Sequence, residues 1–205
     1  LKQYGNPKPR VFRLVEDQAL INRLGFNNLG CDNVSSRIRS NLPKGLLGIN
    51  IGPNKDTKNR LGDYLMGLRS FYDIADYITI NISSPNTENL RNFHDETKLD
   101  ELMNSIEKEK IKLKCKTPIV VKISPDILDN QVNLISEIML KYKVNAIIIS
   151  NTTENNRGNL QNILKHQKGG LSGKPLEEKS NQLIAKFFNL LKGKIEIIGV
   201  GGVDS

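Results

Sequence analysis

Asn81, Ile82, Ser83, Ser84, Pro85, Asn86 and Thr87 form the stretch of this chain whose residue types and spacing point most directly to chemistry. Two hydroxyls and two amides close around a Ser-Pro turn at the carboxyl end of an apolar run. Standing alone, this would be an ordinary strand end and turn. It has company, however: Asn50, Lys122, Asn151 and Thr152 also lie at or next to the ends of apolar runs. Buried amides and an ammonium are costly unless they bind something polar. Gathered at one mouth, they make a ring of donors and acceptors suited to a flat heterocycle with several carbonyls. Lys122, which interrupts Val120, Val121 and Ile123, either snorkels outward or stands as a fixed cation beside a cofactor that becomes anionic in turnover.

Two glycine-rich loops accompany these residues. Residues 169–175 (Gly-Gly-Leu-Ser-Gly-Lys-Pro) and 199–202 (Gly-Val-Gly-Gly) match neither the dinucleotide fingerprint nor the Walker pattern. Their positions late in the chain suit phosphate binding by backbone N–H groups. His94 and His166 lie in polar loops and read as surface residues. Paired catalytic carboxylates, a zinc spacing and a nucleophile elbow are all missing from the sequence, so no metal is expected.

Elements must position these groups. Five runs rich in β-branched residues, 46–51, 77–82, 119–123, 146–150 and 195–200, lack polar alternation, the mark of strands buried on both faces of a parallel sheet. Helical spacing separates most of them: Leu61, Leu65 and Leu68; Leu99, Leu102, Met103 and Ile106; Val132, Ile135 and Met139 after Asp129 as N-cap; Leu183, Ile184, Phe187 and Leu191 before Gly193 as C-cap. Repeated strand-helix alternation means right-handed βαβ units. Polar groups at nearly every strand end favour a barrel, whose carboxyl ends converge on one mouth, over an open sheet with one switch point. The expected fold is therefore α/β, a (β/α)8 TIM barrel with about five of its eight strands present. No buried strand is expected before residue 46.

Composition narrows the function. The chain has 205 residues, 38 % of them hydrophobic, and a formal net charge of +8, with a mean hydropathy of -0.39. No apolar run approaches the length of a membrane span. Cys31 and Cys115 match no metal spacing and read as free thiols of a reducing compartment. The positive charge is scattered. Its one dense cluster, Lys108, Lys110, Lys112, Lys114 and Lys116, lacks interleaved aromatics, so it reads as a solvated helix end and not as a nucleic-acid surface. A non-catalytic basic binding module is the rival of a different kind, and would show a steep salt dependence of nucleic-acid affinity.

Taken in order, residues 15–28, 48–55, 83–87, 121–126, 150–153 and 169–175 resemble dihydroorotate dehydrogenase along essentially the whole chain. The resemblance implies an FMN-binding (β/α)8 barrel that oxidises dihydroorotate to orotate in pyrimidine biosynthesis. Serine at the base position makes the chain similar to the quinone-dependent, membrane-associated class 2. Class 1 enzymes carry cysteine there, and a class 1 type or another FMN barrel acting on a reduced pyrimidine is the alternative. By position, Ser84 becomes the base that takes the C5 proton. Asn22, Arg23, Leu24, Gly25, Phe26, Asn81, Asn86, Asn151 and Thr152 become substrate contacts. Asn50, Asn81, Lys122 and Ser150 become flavin contacts, and Ser172, Gly173, Gly201 and Gly202 serve the FMN phosphate.

Leu24 stands where the family has tyrosine, and the polar stretch 154–168 does not align. The family's flavin-binding lysine strand, membrane-docking region and Tyr-Thr-Gly phosphate motif have no counterpart in the chain. It reads as one catalytic domain, 1–205, cut at both ends. Residues 5–10 have a bacterial cast, which sets the expected location at the cytoplasmic face of a cell inner membrane through peripheral association, with the mitochondrial inner membrane as alternative. A barrel short of about three strands exposes raw edges that template aggregation. Residues 1–205 expressed alone are thus expected to aggregate and bind no FMN; a monodisperse, yellow fragment in size exclusion would overturn the strand count.

Overall fold

The computed structural model describes residues 2–83 and 95–203. Strands β1 (Val11–Leu14) and β2 (Ala19–Asn22) open the chain, followed by helix α1 (Cys31–Ser40). Strand-helix units then succeed one another: β3 (Gly48–Ile51), α2 (Arg60–Phe71), β4 (Tyr77–Asn81), α3 (Glu96–Leu113), β5 (Ile119–Lys122), α4 (Asp129–Lys141) and β6 (Ala146–Ile149). A 3-10 helix, Ile163–His166, precedes β7 (Gly170–Gly173), α5 (Lys174–Leu191) and β8 (Glu196–Gly199). Strands β3, β4, β5, β6 and β8 form one sheet in that order, every pair parallel. Each coincides with one of the five runs expected from the sequence.

One face of this sheet is sealed. Ile78, Ile80, Ile82, Val121, Ile123, Ile147 and Ile149 pack with Leu68, Leu102, Ile135 and Phe187 from α2, α3, α4 and α5 in a single core. Successive helices also pack on one another, α1 on α2 through to α4 on α5. A doubly wound sheet divides its helices between two faces; here they share one, which is the barrel arrangement. The opposite face carries only a small apolar cluster of Val120, Ala146 and Ile148, with Tyr77 against it. That face is the barrel interior, and β3 and β8 are its outer strands.

Helix ends follow their local chemistry. Asn59 caps α2 by accepting from Gly62 N at 2.9 Å, and Pro175 enters the first turn of α5, where a missing N–H costs nothing. Two expected caps shift by one residue. Asp129 is the first residue of α4, whose cap is Leu128; the Gln131 side chain satisfies the Leu128 N–H at 2.9 Å and displaces Asp129 from that role. α5 ends at Lys192 in the left-handed conformation, with Gly193, also at positive φ, one step beyond.

The expectation of no buried strand before residue 46 is corrected in part, since two half-buried strands lie there. β1 and β2 form an antiparallel hairpin, and β7 adds to β2, pairing Leu20 with Ser172 and Asn22 with Gly170. Residues 169–175, read as a glycine-rich loop, thus contain a strand. Phe12, Leu14, Ala19, Ile21, Leu160 and Leu171 form its own small core. Each strand of the hairpin buries only alternate residues, so neither carries the continuous apolar run that marks the parallel sheet.

Candidate functional site

Because β4 turns Ile78, Ile80 and Ile82 to the helices, it turns Tyr77, Thr79 and Asn81 to the interior. The register sets Asn81 beside Lys122 of β5, and Lys122 beside Ile148 of β6. Lys122 therefore lies on the inner face with Val120 and does not belong to the helix-packed face. Among the described residues no hydrogen-bond or ion-pair partner meets its ammonium. Burial pushes the Lys122 pKa below the ordinary lysine value. A half-buried cation without a counter-charge is an incomplete arrangement that an anionic ligand would complete.

At the strand ends a polar chain crosses from β4 to β6. The Ser83 hydroxyl, fully buried, donates to Asn81 Oδ1 at 2.8 Å, and Ser83 N donates to the same oxygen at 3.1 Å. Asn151 Nδ2 donates to Ser83 Oγ at 2.9 Å, and Thr152 N donates to Asn151 Oδ1 at 2.8 Å. These bonds orient both amides and leave the Asn81 Nδ2 as a donor without a described acceptor. The Tyr64 hydroxyl from α2 donates to the Asn81 carbonyl at 2.6 Å. Tyr64 was not foreseen as part of the site, since a tyrosine on an apolar helix face signals only core.

Asn50, at the inner face of β3, pairs with Thr79 and lines a pocket of about 290 Å³ with Phe26 and Asn81, alongside Gln3, Cys31 and Asn54. Asn22 ends β2, and the segment after it is held by the amino-terminal residues: Asn6 Nδ2 donates to Arg23 O at 2.9 Å and Asn6 N to Leu24 O at 3.0 Å. Gly25 has φ +74°, and a Cβ there would lie 2.8 Å from Asn6 N, so glycine alone fits. Arg23 is occupied elsewhere. Its guanidinium stacks on Phe12 and donates to Pro9 O, Lys168 O and Gln167 Oε1. It thereby ties the segment after β2 to the residues before β7. Leu24 is largely exposed.

The glycines converge on the start of α5. Gly173 is its N-cap. Gly202, at φ +77°, comes so near the first turn that a Cβ would lie 2.9 Å from Glu177 N, and a Cβ on Gly201 would lie 2.8 Å from Leu176 Cδ2. Backbone brought this close to a helix amino terminus is the usual make-up of a phosphate site. Two neighbours turn away from it. The Ser172 hydroxyl faces Leu20 O at 3.4 Å, and the buried Ser150 hydroxyl lies 3.1 Å from Ser180 Oγ and donates to Asn151 O at 3.0 Å. Ser84, Asn86 and His94 lie outside the described residues. His166 is exposed, as are Lys108, Lys112, Lys114 and Lys116 at the end of α3, while Lys110 is partly covered. Cys31 and Cys115 are free thiols.

Arg157, in the polar stretch that resisted reading, clasps the strand before β7 by donating to Lys165 O at 3.2 Å and to Gln167 O and Gly169 O.

The Lys122 pKa has a consequence for stability. In the folded protein it is lowered, so between that value and the ordinary lysine value the unfolded chain holds more protons, and stability rises with pH across that window. Lys122→Met is expected to raise the stability of the flavin-free protein at neutral pH by about 1 kcal/mol. The gain should shrink as pH climbs towards the ordinary lysine range, and thermal melts against pH check both.

Comparison with known proteins agrees with the fold. The family model described as dihydroorotate dehydrogenase matches residues 1–205. A dihydroorotate dehydrogenase (quinone) of Idiomarina loihiensis is 46 % identical over 99 % of this chain and 62 % of its own length. One from Buchnera aphidicola subsp. Schizaphis graminum is 44 % identical over 100 % of this chain and 63 % of its own. The crystal structure of DHODH from Eimeria tenella in complex with ferulenol superposes with a TM-score of 0.94 at 35 % identity, covering 100 % of this chain and 62 % of that one. The chain thus spans less than two thirds of the length of these relatives.

Proposed function

On the premise that this chain belongs to the dihydroorotate dehydrogenase family, we propose that it carries the catalytic barrel of an enzyme oxidising dihydroorotate to orotate, with FMN as hydride acceptor and a quinone as final electron acceptor. Residues 1–205 act in this reading as a single catalytic unit. One observation carries it. Lys122, inward and without a described partner, lies beside Asn81 at the head of the Asn81–Ser83–Asn151 chain. The arrangement is a fixed cation next to oriented amides, suited to a flat ring that gains negative charge.

When bound, FMN supplies the two-electron acceptor. The remaining work falls to side chains. Asn22, Gly25, Phe26, Asn81, Asn86, Asn151 and Thr152 hold the pyrimidine ring and its carboxylate. Asn50, Asn81 and Lys122 face the flavin, while Gly173, Gly201 and Gly202 at the start of α5 cradle its phosphate. Ser172 and Ser150 contribute backbone to these contacts, their hydroxyls being engaged elsewhere. Ser84 takes the C5 proton. A serine hydroxyl is a poor base at neutral pH, so its proton must leave through a neighbour or a relay. Relatives named as quinone-dependent and of bacterial source support peripheral association with the cytoplasmic face of the inner membrane. No helix among the described residues is long and apolar enough to cross a membrane.

Two substitutions in the intact protein test this reading. Ser84→Ala should retain FMN and orotate affinity but slow flavin reduction by dihydroorotate about 10²-fold or more; near-normal stopped-flow reduction would remove Ser84 as the base. Lys122→Met should lower the flavin midpoint potential by about 30 mV or more, the two-electron equivalent of roughly 1.4 kcal/mol. An unchanged potential in spectroelectrochemical titration would show that the ammonium does not face the flavin.

A further inference from the structure

Asp126, in the loop after β5, has a side chain only 3 % exposed. Three donors reach it from other segments. Lys179 Nζ of α5 lies 2.6 Å from Oδ1, Thr153 Oγ1 donates to the same oxygen at 2.6 Å, and Glu154 N donates to Oδ2 at 3.2 Å. Burial works against the charge, but the bonds from Lys179 and Thr153 prevail and hold the carboxyl below the usual range. A buried ion pair is weak evidence of stability, so the geometry it fixes is the more informative property.

That geometry is passed on by Thr153, itself fully buried. Its hydroxyl also accepts from Asn155 N at 3.1 Å. Its backbone exchanges two bonds with Leu171 of β7, Thr153 N to Leu171 O at 3.0 Å and Leu171 N to Thr153 O at 2.6 Å. One residue earlier, β7 pairs Gly170 with Asn22 of β2. Thr153 therefore sits at a junction. On one side the chain runs directly into Thr152 and Asn151; on the other, β7 leads to Asn22.

We propose that Asp126 is a positioning residue for the substrate, setting through Thr153 the spacing between the Asn151 segment of the parallel sheet and the Asn22 end of the small sheet. The proposal rests on the functional reading above, in which these two segments grip opposite parts of one pyrimidine. Lys179 keeps Asp126 charged and thereby ties the same junction to α5, whose amino terminus is the phosphate cradle. Thr153 is suited to the task because its hydroxyl and its backbone N–H and carbonyl are all engaged, the first with Asp126 and the others with Leu171.

The test uses the intact, flavin-loaded protein with Asp126→Asn, Thr153→Val and Thr153→Ser. Asp126→Asn and Thr153→Val should weaken orotate binding, read from the flavin absorbance change, by about tenfold or more, the usual scale for losing a bond to a charged group. KM for dihydroorotate should rise with kcat little changed, the pattern of a lost ground-state contact. Thr153→Ser, which keeps the hydroxyl, should restore binding. Amide exchange at Thr153 and Leu171 in the ligand-free protein should quicken in Asp126→Asn. Wild-type orotate affinity in both damaging variants would overturn the proposal, as would Thr153→Ser being as weak as Thr153→Val. If Asp126→Asn does not fold, the Thr153 pair decides. Failure of the wild-type protein to bind orotate would instead overturn the functional reading and the substrate role with it, while the exchange rates would still report the link between the two sheets.

Discussion

The seal between the parallel sheet and its helices is the constraint from which the rest follows. Strand side chains alternate with a period of two, so a one-residue slip would reverse every face. With Ile78, Ile80 and Ile82 locked among Leu68, Leu102 and Leu99, Asn81 has only the interior to face. The same logic applied to Val121 and Ile123 aims Lys122 inward. The apolar core does no chemistry, yet it decides where each reactive group points.

The interior is correspondingly unfinished. Its apolar cluster is small, and its upper rim is polar: Asn81 and Ser83 are almost wholly buried. These polar groups stay affordable because they satisfy each other through the Asn81–Ser83–Asn151 chain, while Lys122 does not share in it. A half-buried ammonium without a counter-charge costs free energy. On the reading proposed above, an anionic ligand would supply the missing counter-charge.

Much of this was legible in the sequence. Strands β4, β5 and β6 announced themselves because burial on both faces leaves runs of Ile and Val, and the outer strands β3 and β8 kept enough isoleucine to follow the same pattern although they are largely uncovered. Asn50, Asn81, Lys122 and Asn151 stood out as polar residues ending such runs. The small antiparallel sheet was not legible: β1 and β2 show each alternate residue to solvent, and β7 is built from Gly170, Leu171, Ser172 and Gly173, a composition that reads as turn. The Asp126 junction was hidden for another reason. Asp126, Thr153 and Lys179 lie up to 53 residues apart, and no periodicity links three residues that meet only through the crossing of loops over a barrel rim. Arg23 was placed among the substrate contacts by its position in the resemblance, whereas its guanidinium is taken up by Phe12 and by oxygens of Pro9, Gln167 and Lys168.

Arg157 and Arg23 have a bearing on how such a chain tolerates change. Between them they reach the main-chain oxygens of Lys165, Gln167, Lys168, Gly169 and Pro9. A carbonyl is the same acceptor whatever side chain follows it, so the two guanidiniums hold the path of this segment and are nearly indifferent to its spelling. Lysine could not replace them, having one point of charge where a planar fork is needed. Exposed positions between Arg157 and β7, such as Gln161, Ile163 and Lys168, can then change while the chain still arrives at Gly170 in register with Asn22, whereas Leu160, in the core of the small sheet, and Gln167, which accepts from Arg23, are held by their own side-chain contacts. Two side chains thereby fix a backbone path that does not depend on what stands at its exposed positions.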